Sequence, residues 1–353
     1  MRTHVLLGAL FCITVANAAS AAQPAVELEI VTERGVQITA PREWLQLLAA
    51  AGIEHVRIRG GQAGDQPHIE NTGSGQSASY HILGVLTAHD QLRLPGGTFS
   101  KFEHARLQAY FARLSADGTD AITAPRPRFG LTDKELNAAL ADLAQPIDFE
   151  TKGQPLHAVI DQLQSKLSCK ISVDADAEQL IRSAAPVADE FKGTSTGTSL
   201  AIMLRDAGLM MRPDKQLGQP VTYRVVTAGA EAVRQRTLGK MSAKDMHYWP
   251  IGWELQRTPG ETAPSLMQTL NAEIDGYTLQ EALAAIAPRI KMPMYFDRAV
   301  LKLHNVNPAT TQVKLARTRT SYKHVIDRVL AQAHLGCEIR IDEAGMPFLW
   351  ITQ

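Results

Sequence analysis

Residues 147–174 read IDFETKGQPLHAVIDQLQSKLSCKISVD, and residues 270–297 read LNAEIDGYTLQEALAAIAPRIKMPMYFD; a shift of 123 positions superposes them without a gap. Identities are few: Glu150/Glu273, Gly153/Gly276, Leu156/Leu279 and Asp174/Asp297. The apolar pattern carries the alignment. Leu156, Val159, Ile160, Leu163 and Leu167 match Leu279, Ala282, Leu283, Ile286 and Ile290, the spacing of a helix with one apolar face. Each stripe is followed by an alternating run, Cys169/Ile171/Val173 and Met292/Met294/Phe296, which has the period of a strand packed on one side. Each run ends at an aspartate. Pro288 is expected to kink or loosen the last turn of the second helix.

A second block restores the register at an offset of 126: Thr194-Ser195 matches Thr320-Ser321, and Leu200, Leu204 and Leu209 match Ile326, Leu330 and Leu335. These positions predict another amphipathic helix in each copy. In the first copy Thr196, Thr198 or Ser199 can supply its N-cap, and Gly208 and Gly336 lie where left-handed geometry would end the two helices. A strand over 221–226 closes the first copy. In the second, residues 338–342 turn at Glu343-Ala344-Gly345 into 348–351, a hairpin pattern. The expected architecture is α+β: tandem small modules, each with two helices packed on a small mixed β-sheet.

The unit resembles the short N-terminal domain shared by secretins and TonB-dependent receptors, the STN domain. The resemblance rests on Gln154-Pro155-Leu156, Leu163, Ile171-Ser172-Val173-Asp174, Leu200, Leu204 and Ala207-Gly208-Leu209 in the first copy. Tyr277-Thr278-Leu279, Ala282-Leu283, Met294-Tyr295-Phe296-Asp297, Ile326 and Leu330 carry it less closely in the second. These are core positions, so the resemblance implies fold more than activity. In that family such domains are periplasmic docking modules placed before a barrel, and this chain has the modules without the barrel.

Outward from the duplication, residues 26–118 read as a further α+β module. Its strand over 26–31 precedes a helix with Pro41 in its first turn and Trp44, Leu45, Leu47, Leu48 and Ala51 facing inward. Gly52 closes that helix. A strand follows at 55–59, then a β-pair turning at His89-Asp90, and a capping box of Ser100 and Glu103 before a helix whose inner face is Leu107, Tyr110, Phe111 and Leu114. Residues 119–145 form a linker with Pro125 and Pro127 and a short helix capped by Thr132 and Glu135. The modules then span 146–229 and 270–353, with 230–269 between them.

With 353 residues, 45% apolar and 20% charged, the chain belongs to the globular class. Thirty-six basic residues against 36 acidic ones give no field that would draw nucleic-acid phosphates or an anionic membrane. Arg2 and His4 before the apolar run 5–15, followed by Ala16-Asn17-Ala18 and Ala19-Ser20-Ala21, read as a cleaved signal peptide over 1–21 and a periplasmic destination. An anchoring helix is the alternative, but that run is short against about 30 Å of hydrocarbon. No membrane span follows. Cys169 and Cys337 remain after cleavage; they could pair in an oxidising compartment, although single buried cysteines are the commoner outcome.

Catalytic and cofactor chemistry finds little support. Residues 72–77 hint at a nucleophile turn but lack G-x-S-x-G spacing, and no phosphate-binding glycine pattern or zinc motif occurs, so no cofactor is expected. His81, His89 and Asp90 are the nearest approach to a metal set. Asp174 and Asp297 read as caps of the following turns, and Arg317-Thr318-Arg319-Thr320 as a solvated basic edge. Tyr248, Trp249 and Trp253 are the partner-binding candidates: buried they pack the second module, exposed they anchor a partner. The leading expectation is a non-enzymatic exported envelope protein that docks an envelope protein or extended peptide segment at a sheet edge. The alternatives are a hydrolase of wall polymer or peptide with a site between modules, and a self-associating scaffold.

Overall fold

The computed structural model describes residues 25–72, 79–229 and 247–353. The leader expected over 1–21, most of the nucleophile-like stretch and the polar part of the inter-module segment lie outside these residues. The fold is α+β, with eleven α-helices and fourteen strands among the described residues. The chain divides into two compact units, residues 1–123 and 124–353.

The first unit runs β1 (Ala25–Thr32), α1 (Ala40–Ala50), β2 (His55–Gly60), β3 (His68–Thr72), β4 (Ser79–Leu86), β5 (Leu92–Leu94), β6 (Gly97–Phe99), α2 (His104–Asp117) and α3 (Asp120–Thr123). β1 is central, parallel to β2 on one side and β4 on the other; β3 and β5 pair antiparallel with β4. Leu28, Ile30, Ile82 and Leu86 face α1 and α2, which bury Trp44 and Leu48, and Leu107, Tyr110, Phe111 and Leu114. Leu45, expected inside, is 39% exposed: on an eleven-residue helix the stripe is only one residue wide per turn, and Leu45 falls beside it. Asp90 takes the left-handed conformation in the turn before β5 and accepts a hydrogen bond from the Trp44 indole. The Glu103 carboxylate accepts from the Ser100 N–H and hydroxyl, but the helix begins at His104, so this half-formed box closes the loop and caps nothing.

The second unit contains α4 (Asp133–Leu143), α5 (Leu156–Gln164), β7 (Lys170–Val173), α6 (Ala175–Ser183), α7 (Thr196–Asp206), β8 (Leu209–Lys215) and β9 (Val221–Thr227). It continues with α8 (Pro259–Thr262), β10 (Thr269–Thr278), α9 (Leu279–Ile290), β11 (Met294–Phe296), α10 (Arg298–Leu303), β12 (Gln312–Ser321), α11 (Tyr322–Ala331), β13 (Gly336–Ile341) and β14 (Pro347–Thr352). The strand order β7-β9-β8 recurs as β11-β14-β13. In both, the central strand is parallel to the first and antiparallel to the last. The antiparallel ribbon β10–β12 pairs Leu270 with Thr320; in the first repeat its counterpart shrinks to a bridge, with the Ile147 N–H on the Thr194 carbonyl. All ten stripe residues of α5 and α9, with Leu167 beyond α5, are buried.

Several local expectations are corrected. The first repeat also closes with a hairpin, β8–β9, and the middle of each repeat holds a short helix, α6 or α10. α9 runs through Pro288 and ends at Lys291 in the left-handed conformation. After α11 the left-handed residue is His334, and Gly336 starts β13.

The two repeats share a core. Met294, Phe296, Leu349 and Ile351 face the helices of their own repeat, whereas Tyr295, Phe348 and Trp350 face the opposite way and join the buried cluster of the first repeat. The first repeat's equivalents of Tyr295 and Trp350 are Ser172 and Arg224, which stand opposite each other in the matching register. One sheet therefore carries a polar outer face and the other an apolar one. Each aromatic side chain so buried is worth about 1.5–3 kcal/mol.

Candidate functional site

Residues 247–253 join the two small sheets at their edges. The Trp249 N–H donates to the Met211 carbonyl on β8, and Trp253 exchanges N–H and carbonyl bonds with Ile341 on β13. Trp249 is wholly buried, stacked on Phe129 at 5.4 Å and edge-on to Trp253 at 5.5 Å. Tyr248 and Trp253 are half-buried. Trp249 is buried, but its ring joins the cluster centred on the first repeat and not the second module's own core, as the packing alternative had it. Glycine is required at 252: φ is +66°, and a Cβ there would meet the Phe348 ring at 2.5 Å.

The indoles converge on a carboxylate. Glu343 accepts from Trp249 Nε1 at 2.6 Å and Trp253 Nε1 at 3.4 Å, and from the N–H and hydroxyl of Thr198, each at 3.0 Å. Asp342 beside it accepts from the Ser195 N–H at 3.0 Å and from the amides of Ala344 and Met346. Acids from the β13–β14 turn thus satisfy the orphan donors of the α7 N-terminus, where the helix dipole also favours negative charge. Thr196, Thr198 and Ser199 do not cap α7; Ser195 is the N-cap residue and makes no side-chain cap bond. Burial pushes the Glu343 carboxyl above its ordinary range, against the pull of its Trp249 and Thr198 donors. Gly197 leaves room for this contact, since a Cβ would lie 2.7 Å from both Glu343 Oε1 and Trp249 Nε1.

A second polar cluster joins the repeats at the other end of α7. Arg205 and Asp297 form a buried bidentate pair, with Nη2 to Oδ2 at 2.7 Å. Asp297 also caps α10 through the Val300 N–H, in keeping with its expected capping role. Asp174 differs: it stands at the N-cap of α6 without a cap bond and binds the Arg224 guanidinium, which holds its carboxyl below the usual range. Arg298 binds Asp189 at 2.7 Å and lies 3.6 Å from Asp206. Asp206 Oδ1 is buried without a hydrogen-bond partner among the described residues, and burial raises its pKa to about 7.

The remaining candidates are dispersed. His81 lies on β4 with Glu29 at 3.7 Å, while Asp90 is engaged by Trp44 and Lys101. Among the described residues no three His, Cys, Asp or Glu side chains are grouped to hold a metal. Cys169 and Cys337 are both free thiols; burial pushes Cys337 up to about 12. Arg317 and Arg319 are exposed on β12. No helix among the described residues is long and apolar enough to cross a membrane.

Most edges of the second unit's sheets already have occupants. The Ile171 N–H on β7 is taken by the Gln164 side chain, β8 and β13 by the 247–253 segment, and Lys314 of β12 by both ends of the Gln332 amide. In the first unit β2 ends the sheet beside β1, and among the described residues no strand pairs with its other side.

The sequence missed the Glu343 assembly because its parts lie in three distant segments. The turn Glu343-Ala344-Gly345 was legible, but nothing local marks it as a cap for α7. Compared with protein-family models, curated proteins and solved structures, the chain has no match.

Proposed function

We propose that this chain is a non-enzymatic exported envelope protein that docks a partner by adding an extended partner segment to an open sheet edge, as a relative of the STN docking domains that its repeats resemble. Strand addition supplies main-chain hydrogen bonds for affinity and alternating side-chain contacts for selectivity. The observation that supports this reading is the distribution of edges. Side chains or the 247–253 segment engage β7, β8, β12 and β13, whereas β2 has an unpaired side among the described residues. A strand whose side is left unpaired in this way retains a place for pairing with another chain.

Three of the buried carboxylates, Asp297, Asp342 and Glu343, accept hydrogen bonds that hold helices or turns. The test is co-purification of the processed chain with solubilised envelope proteins, followed by hydrogen exchange on the complex. A stoichiometric partner that protects the amides of a strand edge supports the proposal. Hydrolysis of wall polymer or peptide by the purified chain contradicts it.

A further inference from the structure

β2 carries different chemistry on its two faces. His55, Arg57 and Arg59 alternate with Val56 and Ile58; the basic residues point to the face away from the helices, and the two apolar ones border the first unit's core while remaining half-exposed. The strand that already pairs with β2 shows what such a neighbour must look like. In β1, Glu27 stands opposite His55, Leu28 opposite Val56, Glu29 opposite Arg57 and Ile30 opposite Ile58. On one face acid meets base at His55 and Arg57, with Val31 opposite Arg59 at the third pair, and apolar meets apolar on the other face, the cross-strand pairs that stabilise a sheet. Arg59 is spoken for by Glu29 and by Asp65 in the following loop. His55 and Arg57 are exposed.

We propose that the free side of β2 binds an extended protein segment in which acidic residues alternate with apolar ones, repeating the pattern β1 presents on the other side. The assignment rests on the edge-docking reading above and names its location and the partner's chemistry. The partner's acids pair with Arg57 and His55, its apolar residues complete the cover over Val56 and Ile58, and its backbone takes the outward amide and carbonyl groups of β2. The same charges act as a filter: a basic strand meets like charge directly opposite, and an uncharged apolar strand leaves the guanidinium of Arg57 desolvated without a counter-ion.

The test uses the full chain and a fluorescent eight-residue peptide alternating Glu and Val, with a Lys/Val peptide as its counterpart. Anisotropy is expected to show binding of the acidic peptide only, weakened at least tenfold by Arg57→Glu and by high salt. The Lys/Val peptide is expected to bind the Arg57→Glu protein in its place. Circular dichroism verifies that the variant folds, and Arg57→Gln, which removes charge without reversing it, should fall between the two. Hydrogen exchange should locate the protection on residues 55–60. Equal binding of both peptides, or protection on another strand, overturns the assignment to β2. An envelope partner captured with protection at a different edge overturns it while leaving the docking reading intact; failure to hold either peptide or any envelope partner removes both.

Discussion

Glu343 caps helix α7 through the amide of Thr198, 145 residues away in sequence. The acid belongs to the second repeat and the helix to the first, so the start of one repeat's central helix depends on the other repeat's hairpin. Together with the aromatic face of β11 and β14, this contact ties the two stretches of recurring strand order into one compact body over 124–353.

Replacing Glu343 by Ala should be severely destabilising. It removes the acceptor of the Thr198 amide and hydroxyl and of the Trp249 indole, and each buried donor left unsatisfied costs about 1–3 kcal/mol. Urea denaturation of the full chain should show a loss of at least about 2 kcal/mol, and Glu343→Gln, which keeps one acceptor oxygen, a smaller one.

Gly197→Ala reverses the usual sign. In an exposed helix this change gains up to about 1 kcal/mol. Here the new Cβ would lie 2.7 Å from Glu343 and Trp249, so a net loss is expected, and the near-ultraviolet circular dichroism of the tryptophans should change with it.

Arg205→Met alone leaves Asp297 buried without its counter-ion, a change that typically costs about 3–5 kcal/mol. Adding Asp297→Asn should recover a substantial part, because the amide oxygen can still accept from Val300 while the charge is gone. A double-mutant cycle by chemical denaturation measures the coupling.

Stability should fall as pH rises toward neutrality because of Asp206. Its folded pKa is raised from 3.8 to about 7, so between those values the folded state binds the proton that the unfolded state has released. The contribution is favourable at low pH and is lost as pH climbs through that window, at up to about 1.4 kcal/mol per pH unit. Asp206→Asn should flatten the decline and leave the variant more stable than the parent at pH 8. Thermal melts from pH 5 to pH 8 measure both.

The helical part of this fold was legible because a one-sided helix writes its burial into a period of 3.6: all ten stripe residues, nine on α5 and α9 and Leu167 just beyond α5, are buried. The strands were harder. β8 contains Arg212, Pro213 and Asp214 among its seven residues and has no clean alternation, and β10–β12 is a ribbon with solvent on one side and two irregularities in register. The aromatic segment was found and its burial weighed; its acceptor was not, because the acid that binds both indoles belongs to a hairpin 90 or more residues downstream. Tyr295 and Trp350 were visible as apolar residues; only their facing partner, the other repeat, distinguishes them from the solvated positions Ser172 and Arg224.

Docking at a sheet edge is tested most directly by amide exchange of the chain with and without solubilised envelope proteins. The account predicts slowed exchange along residues 55–60 when a stoichiometric partner is bound, with α7 and its Glu343 contacts unchanged. No retained partner, or slowing spread over helix surfaces while every strand edge keeps its free exchange rate, would contradict it.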